Sequence, residues 1–137
     1  MLESSISLLD EAVEVKNADP NDQVSALFHR AITKYEQNDK DAALEDLMAA
    51  NQISEVGVDW KWKIYLLVGQ IKLDLLDFQG YVDSLNAALK AGYDNQGKVD
   101  NARLLLERSR FGLGSTEGIR HELARLIDNE GVDTSHK

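Results

Sequence analysis

The chain repeats itself at an offset of 38 residues, and this repetition constrains its fold more than any other feature. Ala31, Asp39, Ala43, Leu47, Ala49 and Ala50 are followed one step later by Gly69, Asp77, Tyr81, Leu85, Ala87 and Ala88. Four of these six pairs are identities, and the other two fall where a helix crossing needs a small or an aromatic residue. The same step again takes Gly80, Tyr81, Leu85 and Leu89 to Gly118, Ile119, Leu123 and Ile127. Within each period the apolar residues lie three and four apart, which is the spacing of one helix face and not of a strand. A period of this length with helical spacing inside it predicts stacked helical hairpins. The expected fold class is all-α.

Seven helices are expected. Leu2, Ile6, Leu9 and Val13 mark the first. Asp19 caps the second and Pro20 opens it, where a missing N–H costs nothing. That helix carries Val24, Leu27, Phe28, Ala31, Ile32 and Tyr35 to a corner at Asn38-Asp39-Lys40. The third buries Ala43, Leu44, Leu47, Ala50 and Ile53 and directs Glu45 and Asp46 outward. Asp59 is expected to cap the fourth, which runs through Trp60, Ile64, Leu67, Val68 and Ile71. After a corner at Leu76-Asp77, the fifth carries Tyr81, Val82, Leu85, Ala88 and Leu89 and closes on Gly92, a residue suited to a left-handed terminus. Val99, Ala102, Leu105 and Leu106 mark the sixth; Ile119, Leu123 and Ile127 mark the seventh. One helical-repeat domain is expected over residues 1–130, followed by a frayed polar tail at 131–137.

At its small and aromatic positions the chain resembles the tetratricopeptide repeat. In that family a small residue in a first helix and two more, seven apart, in a second let two antiparallel backbones approach closely. Ala31 with Ala43 and Ala50 reproduces the spacing, as do Gly69, Tyr81 and Ala88, with tyrosine in a place usually held by alanine. A third hairpin, from Asn101 to Glu130, matches only in outline: Glu107 and Leu126 stand where small residues belong. The period exceeds the family's usual length of about 34 by roughly one helical turn, and the excess falls around Val58 to Trp62. The resemblance implies a right-handed array of antiparallel hairpins and a protein that binds other proteins.

Charge and composition narrow the range of partners. The net charge of −9, from 24 acidic and 15 basic residues, repels phosphate backbones and anionic membranes, so neither nucleic acid nor a lipid surface is expected. There is no cysteine, which removes disulfides, thiolate zinc sites and cysteine nucleophiles together. The longest apolar run, Ile64 to Gly69, is too short to span a bilayer. The opening Met1-Leu2-Glu3-Ser4-Ser5 lacks the pattern of a signal peptide, and a cytoplasmic protein is expected.

No constellation for chemistry emerges. Gly112-Leu113-Gly114-Ser115-Thr116-Glu117-Gly118 has the glycines of a phosphate loop, but a helix precedes it and no lysine follows, so Ser115 or Thr116 is read as a helix cap. His121-Glu122 begins like a zinc-protease helix, yet Arg125 occupies the place of the second histidine. Asp39, Asp41 and Asp77 sit at hairpin corners, where capping explains them better than carboxylate catalysis. No catalytic residue, metal or cofactor is expected. Trp60 and Trp62 point in different directions on one helix, one into the packing and one partly exposed. The inner face of the first helices, Ser25, Phe28, His29 and Ile32 and then Lys63, Leu66, Leu67 and Gln70, lacks the paired cations with which some family members grip a terminal carboxylate.

Binding of a partner protein is the expected function, through an apolar groove with acidic rims. The groove residues are Phe28, Ile32, Tyr35, Lys63, Leu66, Gln70, Asn101 and Arg108. A second candidate surface is the acidic cluster Asp39, Asp41, Glu45 and Asp46, which fits a basic partner. Two narrower versions stand beside an adaptor: an inhibitor or immunity protein covering a basic toxin or nuclease, and a small helical-repeat chaperone shielding an apolar segment. An uncapped repeat end also leaves a homodimer open.

Overall fold

The computed structural model describes residues 19–53, 56–112 and 115–127. Among these residues there are six α-helices and no strand: α1 Pro20–Glu36, α2 Lys40–Asn51, α3 Val58–Asp74, α4 Phe78–Lys90, α5 Gln96–Arg110 and α6 Thr116–Ile127. The expected helix around Leu2 to Val13 and the expected tail at 131–137 lie outside the described residues. Contacts group the chain into two compact units, Met1–Ile64 and Tyr65–Lys137, with the division falling inside α3.

In the first unit α1 starts on Asp19, whose carboxylate accepts a hydrogen bond from the Asn21 N–H at 2.8 Å, and Pro20 occupies the first helical position. Helices α1 and α2 pack against each other. Ala31, Ala43 and Ala50 are each fully buried there beside Val24 and Leu47. Small side chains at the crossing bring the two backbones close, and the larger ones fill the space on either side.

The second unit uses the same device with different residues. A side-chain carbon added at Gly69 on α3 would stand 3.2 Å from Leu85 and 3.4 Å from Ser84 on α4, tight enough that Leu85 would have to shift slightly. Tyr81 takes the place of an alanine because it serves a second neighbour. Its ring is fully buried, and its hydroxyl shares a 2.7 Å hydrogen bond with Ser109 on α5, which in turn donates to the Leu105 carbonyl at 2.8 Å. Burial pushes the Tyr81 phenol above its ordinary value of 10.0, against smaller opposing effects from the Ser109 bond and the Arg108 charge. Helices α5 and α6 then pack through Val99, Ala102, Leu105 and Leu106 against Ile119, Leu123 and Leu126.

The 38-residue step reappears in backbone geometry at the α1–α2 and α3–α4 corners. Asn38 and Leu76 both take positive φ, 68° and 64°. The N–H of Asp39 donates to the Lys34 carbonyl at 2.8 Å, and that of Asp77 to Lys72 at the same distance. Asn38 donates to Tyr35 at 2.9 Å and Leu76 to Leu73 at 3.0 Å. These two paired bonds form the Schellman closure of a helix. Asp39 and Asp77 then cap the next helix, accepting from the Ala42 and Gly80 N–H groups. Elsewhere Gly92 is left-handed at φ 88° and Ser115 accepts from Gly118 as the cap of α6, both as expected, while Asn95, which was not anticipated as a cap, accepts from Lys98 at the start of α5. Asp59 falls within the first turn of α3 instead of capping it.

Candidate functional site

The eight expected groove residues divide between the units, and two of them are core. In the first unit Phe28 is only 4% exposed. It packs edge-on against Trp60 at 5.4 Å and against His29 at 5.9 Å. In the second, Leu66 is fully buried. Neither is available to a partner, which corrects the reading of both as groove lining. Ile32, Tyr35, Lys63 and Gln70 are half-buried. The Lys63 ammonium lies 4.8 Å above the Trp60 ring, so its charge is held on an aromatic face. Trp62 is buried and Trp60 half-exposed, as the two-residue offset on a helix requires.

Asp46 also requires correction. It points inward and is 5% exposed. Arg30 grips its carboxylate with both ends of the guanidinium fork, Nε to Oδ2 at 2.9 Å and Nη2 to Oδ1 at 2.7 Å. Lys34 Nζ approaches Oδ2 at 3.2 Å. The physical reason lies in the helix period. Position 46 borders the buried Ala43–Ala50 stripe of α2 on the side facing α1, where two cations one turn apart meet it. Their i, i+4 spacing on α1, with no carboxylate on the same face of that helix, is the signal by which sequence reasoning could have found the pair. Three members of the acidic cluster remain at the surface: Asp39 as a helix cap, and Asp41 and Glu45 exposed one turn apart. Lys40, the cation nearest to them in sequence, donates to the Asn38 side chain.

The residues that do converge are in the second unit. Asn101, Leu104 and Arg108 from α5 and Glu122 and Arg125 from α6 line a cavity of about 410 Å³ that is open to solvent. Of the eight expected groove residues only Asn101 and Arg108 line it, seven residues apart on one side of α5. Leu104, Glu122 and Arg125 were not anticipated. Leu104 is 59% exposed and lies off the Ala102, Leu105 and Leu106 stripe, so an apolar residue on the polar side of α5 was the readable signal. The fates of the neighbouring arginines differ. Arg103 pairs with Asp100 at 3.3 Å, and Arg120 with Asp74 at 2.9 Å and Glu117 at 3.2 Å. Arg108 and Arg125 have no carboxylate within 4.0 Å among the described residues.

Among the described residues, the Ser25–His29 contact has the wrong geometry for a nucleophile. His29 Nδ1 lies 2.8 Å from the Ser25 carbonyl and 3.4 Å from its hydroxyl, so the ring nitrogen that would act as base is bonded to the backbone instead. Among the described residues no group of His, Asp and Glu side chains is placed to hold a metal ion. No helix among them is long and apolar enough to cross a membrane. Comparison with models of protein families, with curated proteins and with solved structures finds no match to this chain.

Proposed function

We propose that the protein is a binding module for another protein and that the α5–α6 groove is its contact surface. One observation carries the reading: an exposed leucine and two exposed arginines, neither of them with a carboxylate partner among the described residues, share a cavity. Leu104, 59% exposed, stands between Asn101 and Arg108 and away from the buried stripe of α5. Apolar surface flanked by planar hydrogen-bonding groups is the composition of an interface centre. The lining of this groove carries two arginines and a single carboxylate, Glu122, in place of the acidic rims expected.

The same reading treats the chain as a divergent tetratricopeptide-like hairpin protein. It is supported by the matched corners at Asn38 and Leu76 and by small residues at Ala31, Ala43, Ala50, Gly69 and Ala88. A second surface has one observation in its favour: Asp41 and Glu45 are exposed one turn apart. That pair fits an inhibitor of a basic toxin or nuclease, for which association would slow steeply with added salt.

A photo-crosslinking amino acid placed at position 104, at position 45 or at the remote position 83 separates these readings in cells. Crosslinks to a protein from position 104 alone support the groove. Crosslinks from position 45 alone transfer the function to the acidic face, and none from either site refutes both.

A further inference from the structure

We propose that the α5–α6 groove recognises an acidic amphipathic segment of its partner, with a leucine- or phenylalanine-sized side chain against Leu104 and carboxylates on Arg108 and Arg125. This rests on the groove being the contact surface and adds the chemistry of what it takes.

Charge distribution is the first argument. The whole chain carries −9, yet residues 96–127 hold six basic residues against four acidic ones. A basic patch on an acidic protein concentrates attraction for anions at one place while the remaining surface repels them elsewhere, which orients an approaching acidic partner. Internal bonding is the second argument. Lys98 donates to the Leu126 carbonyl, Arg103 pairs with Asp100, and Arg120 pairs with Asp74 and Glu117. The guanidinium groups without a carboxylate partner among the described residues include the two that line the cavity, and a planar fork is the donor best matched to a carboxylate.

Two further features separate a protein segment from a polyanion. Glu122 lines the same cavity and repels any ligand made only of phosphates, whereas a peptide can set a neutral or basic residue against it. Leu104, and Phe111 (74% exposed) seven residues on at the C-terminal cap of α5, give this region exposed apolar surface. Exposed ion pairs contribute little net affinity because water solvates both charges well. Burial of Leu104 therefore supplies affinity, while the arginines set orientation and association rate.

Selection of displayed random 16-residue peptides on the full-length chain tests this directly. The expected pool is net negative and contains at least one leucine, phenylalanine or methionine per peptide. A synthetic member should bind at least tenfold more weakly to Leu104→Asp. On Arg108→Gln/Arg125→Gln its association should slow several-fold and lose most of its salt dependence. Selection on Arg108→Glu/Arg125→Glu should shift the pool towards basic peptides. All these positions are exposed, and unchanged circular dichroism verifies that each variant is folded. A neutral or basic pool on the parent chain, no enrichment at all, or an acidic pool that is unaltered on the reversed variant would overturn the proposal. So would binding of a labelled single-stranded 20-nucleotide RNA that is lost with Arg108→Glu/Arg125→Glu, since that gives the groove to a polyanion. Protein crosslinks from position 104 together with a failed selection leave the groove as the contact surface and refute only its acidic preference.

Discussion

The α1–α2 and α5–α6 hairpins treat their charges in opposite ways. In the first, Arg30 and Lys34 are spent on Asp46, and the three groups close over one another until the carboxylate is nearly excluded from water. In the last, Arg108 and Arg125 face solvent without such a partner among the described residues, beside a leucine that is largely exposed. The comparison shows that a count of charges along a helix says little about binding. What matters is whether the neighbouring helix presents the complementary group. Where it does, the charge holds the fold together; where it does not, the charge is available to something else.

The largest expected effect tests that contrast. Asp46→Ala removes the carboxylate that Arg30 and Lys34 share at the α1–α2 contact and should cost about 3 kcal/mol, the usual order for removing one member of a buried pair. Arg108→Ala and Arg125→Ala should each change stability by no more than about 0.5 kcal/mol, as exposed substitutions do. Urea unfolding monitored by circular dichroism measures all three. Equal losses would abolish the distinction between the hairpins.

Next in size are the crossings, which the two units are expected to share. Ala50→Leu in the first and Ala88→Leu in the second should each overpack a fully buried position, at a cost of about 1–3 kcal/mol. If either variant melts like the parent, the close approach is not shared and the 38-residue correspondence fails at that crossing.

The corners give a smaller effect of opposite sign in the two units. Both use a left-handed residue, but Asn38 tolerates that conformation and Leu76 does not. Leu76→Asn should stabilise by about 1 kcal/mol, and Asn38→Leu should destabilise by a similar amount. Thermal melts of the two variants should move in opposite directions. At neutral pH the smallest effect is ionisation of Tyr81, which is absent there. Because burial raises the folded-state pKa above the unfolded value, the folded protein keeps its proton longer than the unfolded chain. Stability should therefore be intact below about pH 10 and fall as pH rises beyond it. Tyr81→Phe should flatten this alkaline limb in melts taken across that range.

Features written into the local chain were legible before the structure. Asp19-Pro20, Asp39, Asp77 and Gly92 act on backbone groups within a few residues of themselves, so their roles follow from their immediate neighbours. The small residues at the crossings were legible because the period aligned them. Asp46, Phe28 and Leu66 were misplaced for a common reason: whether a residue bordering a helix stripe is buried depends on what the opposing helix brings to it. The groove was half visible. Asn101 and Arg108 share one helix side, but Glu122 and Arg125 join them only through the pairing of α5 with α6, which no spacing along the chain specifies.

The placement of Trp60 and Trp62 has an optical consequence. They are the only two tryptophans in the chain, and both occupy the opening turns of α3, one half-exposed under the Lys63 ammonium and one sealed from water. Intrinsic fluorescence excited at the red edge therefore reports on those turns alone. Its emission should combine a blue component from the sealed indole with a redder one from the other. Far-UV dichroism averages over every helix, so the two signals together distinguish a chain that melts in one step from one whose units part company.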